Sequence, residues 1–436
     1  MASRAGPNLC EHFRALRRSI FDDPSPRSSL EFTINIVFKY LKLKSNTLRI
    51  GRRLSRAQFS VIRRRLALEH CKWDAQVGDD TALSSAPLLL ARSSWEELAL
   101  LAEQLFAETL AVERELIGRP ELHAALGVPR RLRWLLRQPA APSAARVMRF
   151  DFHPTAEGWR VSEVNSDVPG GYGEASHLSR LFASEVPGAS VAGDPTRALV
   201  AALSASSREG PIALLCAPGF MEDQQVVSQL AQALRARGAQ AELVTLAQLA
   251  WVGGRARVAG RELGGIFRFF QAEWLAELAD GWAPMFAGGG TPVTNPAAAV
   301  LSESKRLPLL WDRLTTPLPT WRRLLPETRE LRDAPWASDD GWLLKSAFCN
   351  NGDTVSIRCA LPRAEWRRRS WQARLDPGRW LAQRRFEVSP LHDAEGALFP
   401  CVGVYVVDGR QAGAYARFTR GAVIDLAAVD AALLLE

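Results

Sequence analysis

RVMRFDFHPTAEGWRVSEVNSDVPGGYGE, residues 146–174, holds two runs of alternating apolar and polar residues, Val147–Phe152 and Trp159–Val164, on either side of a polar turn from His153 to Gly158. Period-two alternation around a turn containing Pro and Gly predicts a β-hairpin. On such a hairpin Arg149 and Asp151 share one face of the first strand, and Glu163 and Asn165 share one face of the second. If the register apposes those faces, two carboxylates, a carboxamide and a guanidinium converge. Oxygen donors without His or Cys suit a hard cation such as Mg²⁺, which completes its shell with water and phosphate. The alternative is a hairpin with one wet face and no ligand. The Pro-Gly-Gly turn that follows, Pro169–Gly171, lets backbone approach a ligand closely and favours the first reading.

Composition narrows the class. A chain of 436 residues, 47% hydrophobic and 23% charged, can bury a core and needs neither disulfides nor a structural metal to fold. The net charge, 55 − 47 = +8, suits an anionic ligand, nucleotide or nucleic acid alike. Cys10, Cys71, Cys216, Cys349, Cys359 and Cys401 form no CxxC pair and the six histidines form no ligand-spaced cluster, which argues against zinc and a disulfide framework. No run of 18 uncharged apolar residues and no signal-peptide pattern is present, so no membrane partner and a reduced, cytoplasmic setting are expected.

Working outward, residues 1–54 read as an extension, with a Pro/Ser-rich piece DDPSPRSS before a strand-like EFTINIVFKYLKLK. Residues 55–200 read as helical scaffold around the hairpin. Ser55 caps a helix whose Arg63, Arg64 and Arg65 fit a solvated face better than a nucleic-acid patch. Ser93–Ser94 opens a long amphipathic helix reaching Ile117, and a shorter one is expected over Pro120–Leu126. Residues 201–290 hold strand, helix, Gly238 and strand, a βαβ unit of a Rossmann-like subdomain without G-x-G-x-x-G. Its next strand, GIFRFFQAEW, puts Arg268, Gln271 and Glu273 at a carboxyl end, where open α/β sheets bind ligands.

Residues 291–436 open with TPVTNPAAAVLSESKRLPLLW, which predicts a helix holding Lys305. In GWLLKSAFCNNGDTVSIR, Lys345 ends a strand before a loop with Gly352, a phosphate clamp in outline, and VSIR reads as a further strand. WLAQRRFEVSP and CVGVYVVDGRQAGAYARFTRGAVID predict antiparallel strands with a turn at Asp408–Gly409 and Arg417 facing out.

RFDF, SEVNSD, MEDQQ, FRFFQAEW, NPAAAVLSESKRLPLLW, WLLKSAF and GVYVVDGRQAGAYAR, in this order, resemble the synthetase domain of glutathionylspermidine synthase over residues 55–430, including the CKWDAQVGD loop. The resemblance implies an α/β (α+β) chain with the circularly permuted ATP-grasp fold and a Rossmann-like pre-ATP-grasp subdomain. It implies an ADP-forming carboxylate–amine ligase using ATP and Mg²⁺, with small-molecule or peptide carboxylate and an amine as substrates. Position by position, Asp151, Glu163 and Asn165 match metal ligands, and Arg149 a phosphate-touching arginine. Lys305 and Lys345 match the ATP lysines, and Gln383 and Arg417 match residues lining the nucleotide and acyl sites. Gly352 is the one glycine kept in a loop that usually carries two glycines and an arginine, and Val168 and Gly170 stand where glutathione-using members carry serines. A different acyl substrate is therefore expected, and no amidase domain ahead of the synthetase region. Glu222, Asp223 and Glu273 are candidates for holding a cationic amine, and Arg268 completes the substrate set. Two other classes stay open: a catalytically inactive relative that binds nucleotide or peptide, and a basic nucleic-acid binder suggested by WRRRSWQAR at 366–374.

Overall fold

The computed structural model describes residues 48–73, 76–77, 80–279, 281–348, 355–425 and 427–436. The strand reading at 31–44 and Gly352 with its loop lie outside the described residues. The alternation from Val147 to Asn165 folds as a hairpin of strands Val147–Thr155 and Gly158–Asn165. Its turn is shorter than expected, because Gly158 takes φ +110° and reverses the chain at Ala156–Glu157. The register pairs Arg149 with Asn165 and Asp151 with Glu163, so the two polar faces do meet.

On its other side the first hairpin strand pairs antiparallel with Gly396–Val407, which turns at Asp408–Gly409 into Arg410–Thr419 and then Val429–Ala431. Asp408 at φ +46° and Gly409 at φ +84° supply the two positive dihedrals that a tight hairpin turn requires. One face of this sheet carries Met148, Phe150, Phe152, Val161, Val402, Val404 and Val406, all fully buried. The helix Arg92–Ile117 contributes Leu98, Leu105 and Val112 to the same core, and the polar residues lie on the opposite face of the sheet.

A parallel sheet runs in the order Val293–Thr294, Gly265–Phe269, Ile212–Cys216, Ala241–Val244, with Met221–Ala236 as a crossover helix that Gly238 terminates at φ +82°. A smaller sheet sets Trp380–Arg384 between Thr328–Arg329 and Trp342–Ser346.

Several sequence expectations shift. Ser55 caps the helix Arg56–Glu69 in a full capping box, as its spacing predicts. The long helix starts one turn earlier, its N-cap Ala91 having no side chain to cap with, so Ser93–Ser94 fall inside it. Pro120–Leu126 reduces to a single 3₁₀ turn, Pro120–Leu122. Lys305 lies outside the helix Ala299–Glu303, which Ser304 ends by adopting extended backbone. Of VSIR only Ser356 pairs, with Leu344. WRRRSWQAR lies within the helix Arg363–Leu375. Among the described residues no helix is long and apolar enough to cross a membrane.

A buried polar network joins the parallel sheet to the hairpin. Arg268 makes a two-pronged ion pair with Asp167, one prong at 3.1 Å, and Asp167 also accepts the Ala272 amide at 2.8 Å. Asn295 accepts from the Val147 amide at 3.0 Å and donates to the carbonyls of Val147, Ser166 and Asp167. Arg146 pairs with Glu113 at 2.6 Å. Removing one partner of a buried pair strands the other charge. Asp167→Ala is expected to destabilise the fold by about 3–5 kcal/mol in chemical denaturation, and a loss below about 1 kcal/mol would show that the pair is not structural.

Candidate active site

The polar face of the large sheet converges on Asp151. Arg149 holds its carboxylate by both oxygens, Nε to Oδ1 at 2.7 Å and Nη2 to Oδ2 at 3.0 Å, while Arg417 reaches Oδ2 at 2.8 Å and the Asn165 amide lies 3.4 Å away. Arg417 thus faces inward, correcting the expectation that it faces out: a buried carboxylate with one arginine still has an oxygen to satisfy. Burial opposes ionisation of Asp151, but the charges of Arg149 and Arg417 outweigh it and hold the pKa at about 2. Gly403 makes room for this cradle, since a Cβ there would meet Tyr415 at 2.9 Å and the Arg149 stem at 3.0 Å.

The small sheet covers this face, and a cavity of about 340 Å³ lies between them. Its wall carries Arg149, Asp151, Glu163, Asn165, Lys345 and Arg417, the apolar Leu343, Ile357, Phe386 and Phe399, and the charged Arg385, Glu387 and Arg420. Cationic and apolar side chains on one wall fit a molecule with both an anionic and an apolar part. His153 also lines it, its Nε2 3.1 Å from Ser162 Oγ and its pKa lowered to about 4 by burial.

Lys345 and Lys305 meet in a small void with Glu163 and Gln383. Lys345 Nζ donates to the Ser162 carbonyl at 3.1 Å. Lys305 Nζ donates to Glu303 Oε1 at 2.9 Å and stands 3.5 Å from Glu163 Oε2. Gln383 is buried and donates to Thr328 Oγ1 at 3.0 Å. Sequence reasoning passed over Glu303, although an acidic residue two positions from a candidate phosphate lysine was there to be read.

A second cavity, about 250 Å³, is walled by Arg149, Asn165 and Arg417 on one side and by Glu222 and Asp223 on another. Burial, then the neighbouring Glu222, raise the Asp223 pKa to about 7. Glu222 is exposed, and Asp223 Oδ2 is buried without a hydrogen-bond partner among the described residues. Gln271 also lines this cavity. Arg268 does not: its side chain has no exposure and is spent on Asp167, which removes it from the substrate set. Glu273 lines none of the cavities described above, and burial, then Asp167, raise its pKa to about 8.

The donor set suits a hard cation in part. Glu163 and Asn165 present oxygens to the larger cavity, and Mg²⁺ commonly takes only one or two protein carboxylates, the rest being water and phosphate. Both oxygens of Asp151 are engaged by guanidinium groups. Among the described residues no group of three or more His, Cys, Asp and Glu side chains gathers as a metal cage.

The family described as glutathionylspermidine synthase preATP-grasp matches residues 74–430. No curated protein matches the chain. Among solved structures, the fold is similar to that of a glutathione synthetase-like effector from Globodera pallida in the apo form, with a TM-score of 0.60 and 14% identity over 81% of this chain and 90% of that one. This identity speaks to fold alone, which is of the ATP-grasp type. A protein described as a gamma-glutamylcysteine synthetase, from Methylobacillus flagellatus, is 12% identical over 72% of this chain and 82% of its own, at a TM-score of 0.41.

Glu273 makes the site's surroundings sensitive to pH. The folded chain keeps its proton to about pH 8, whereas an unperturbed carboxyl releases it near 4.5. The folded state therefore binds more protons between these values, and stability falls as pH rises through them. Glu273→Gln should flatten that fall and melt above wild type at pH 8; a variant with an unchanged pH–melting profile would contradict the assignment.

Proposed function

The chain belongs to the glutathionylspermidine synthase preATP-grasp family, and we propose that it is an ADP-forming ligase that joins a carboxylate to an amine through an acyl phosphate. One observation carries this reading: Arg149, Asn165 and Arg417 line both cavities, so the cavity walled by Lys345 and Glu163 shares these side chains with a second pocket edged by carboxylates. A group transferred at that junction can be made on one side and consumed on the other.

In the first step a substrate carboxylate oxygen attacks the γ-phosphorus of ATP, the bond to the β–γ bridging oxygen breaks and ADP leaves. In the second the amine nitrogen adds to the acyl carbon and loses a proton, and the carbon–oxygen bond to phosphate breaks, releasing inorganic phosphate. The protein's work is positioning and charge neutralisation. Lys305 and Lys345 face the phosphates. Arg149 and Arg417 present fixed guanidiniums to the acyl carboxylate and the transferring group, and Glu222 with Asp223 attract the ammonium end of the amine. Where Mg²⁺ is bound, Glu163 and Asn165 are the residues to hold it, with Asp151 held by its two arginines beside them, and the ion would supply charge neutralisation on the phosphates. Gln383 lines the same void as both lysines and bonds to Thr328 within the small sheet. Val168 and Gly170 border the second cavity and offer no side-chain hydroxyl, which favours an acyl substrate other than glutathione.

Incubated with Mg-ATP and a panel of carboxylates and polyamines, the protein should release ADP and phosphate only when both substrate classes are present. AMP and pyrophosphate as products would rule out this chemistry. With an active pair in hand, Lys345→Ala should lower kcat by about 10²-fold or more, because charge on the transferring phosphoryl group grows toward the transition state. A change confined to KM would mean that Lys345 contributes ground-state binding only.

A further inference from the structure

Lys305 has no long helix to hold it. The five-residue helix Ala299–Glu303 stops, Ser304 runs extended at φ −61° and ψ 120°, and the lysine side chain folds back onto the residue two positions before it. Its amide donates to the Ala347 carbonyl at 2.8 Å, just past the strand that carries Lys345. Its ammonium donates to Glu303 Oε1 at 2.9 Å and to the Glu303 carbonyl at 3.3 Å. The other oxygen of Glu303 accepts the Ser166 amide at 2.7 Å, the Asp167 amide at 3.0 Å and the Ser166 hydroxyl at 3.3 Å. Ser166 and Asp167 are the two residues directly after the strand of Glu163 and Asn165. One buried carboxylate therefore grips the lysine with one oxygen and the end of that strand with the other.

We propose that Glu303 is a positioning residue that sets the Lys305 cation against Glu163 and Asn165, so that lysine and strand meet one polyphosphate in a fixed relation. This rests on the ligase reading above. A carboxylate beside a lysine could instead compete with phosphate for it. Here half of its hydrogen-bonding capacity is committed to two backbone amides, and a lysine freed from it would have a flexible four-carbon stem to order each time a nucleotide binds. The positioning effect therefore outweighs the competition, and removing the charge should weaken nucleotide binding.

The test is a double-mutant cycle on Mg-ATP binding by calorimetry, using the full chain as wild type, Glu303→Gln, Lys305→Met and the pair, with thermal melting as the fold control. Lys305→Met should weaken binding by about tenfold or more, and Glu303→Gln by about tenfold while Lys305 is present. With Met at 305 the Glu303→Gln change should cost less than about twofold. A merely structural role would lower the melting temperature in both backgrounds and weaken binding equally in both. Equal weakening, or no weakening or a tightening by Glu303→Gln alone, overturns this inference and leaves the ligase reading standing. If Lys305→Met leaves Mg-ATP binding unchanged, the nucleotide role of Lys305 falls, and this inference with it. Should Glu303→Gln fail to fold, Glu303→Asp, which keeps the charge but shortens its reach by one methylene, carries the same cycle with the same expected dependence on Lys305.

Discussion

Asp151 sits at the bottom of the sheet with both carboxylate oxygens taken by Arg149 and Arg417, the second of which lies 266 residues further along the chain. A carboxylate buried to this degree needs compensating charge, and two guanidiniums cannot share a buried site without an anion between them. This three-way ion pair makes the middle hairpin and the C-terminal hairpin one sheet at its polar face, while Val402, Val404 and Val406 against Phe150 and Phe152 do so at the apolar one. It also decides what the sheet can offer. Arg149 and Arg417 are held where two cavities share a wall.

The chain between those hairpins is inserted without disturbing the sheet because a second buried network anchors it. Asp167, at the end of the hairpin, takes Arg268 from the parallel sheet, and Asn295 clamps the carbonyls of Ser166 and Asp167. Glu303 closes the same few residues onto Lys305. Parallel pairing puts loops and helix starts at the carboxyl ends of the strands, where Asp223 and Gln271 border the second cavity. The arginines of the large sheet and the carboxylates that follow the parallel sheet are thus brought to one cavity by buried charges.

The hairpin was legible because period-two alternation is a local property, and the same holds for the Asp408–Gly409 turn and the Ser55 cap. Partners across the chain leave no such trace. Arg268 looked like a ligand-facing residue at a strand end. Yet GIFRF is a strand of a parallel sheet covered on both faces, where an arginine between two phenylalanines calls for a buried anion. Asp167 is that anion, 101 residues earlier. Arg417 was given the wrong face for the same reason, since nothing in GAYARFT announces Asp151. Lys305 was assigned to a helix because AVLSESK has helical composition, whereas its side-chain bond to Glu303 is made where the helix has ended. Glu303 itself was missed because an acidic residue near a lysine reads as ordinary surface charge until its two backbone partners are seen.

On the proposed chemistry, carboxylate activation by phosphoryl transfer occurs in this site before the amine is used. The most direct measurement is positional isotope exchange in ATP labelled with oxygen-18 at the β–γ bridge, with Mg²⁺ and carboxylate present and amine withheld. Reversible acyl phosphate formation predicts that the label scrambles into the non-bridging β oxygens, and that scrambling disappears when the carboxylate is omitted. Net amide synthesis by the same protein with no scrambling under conditions where bound ADP can rotate and re-form ATP would contradict it.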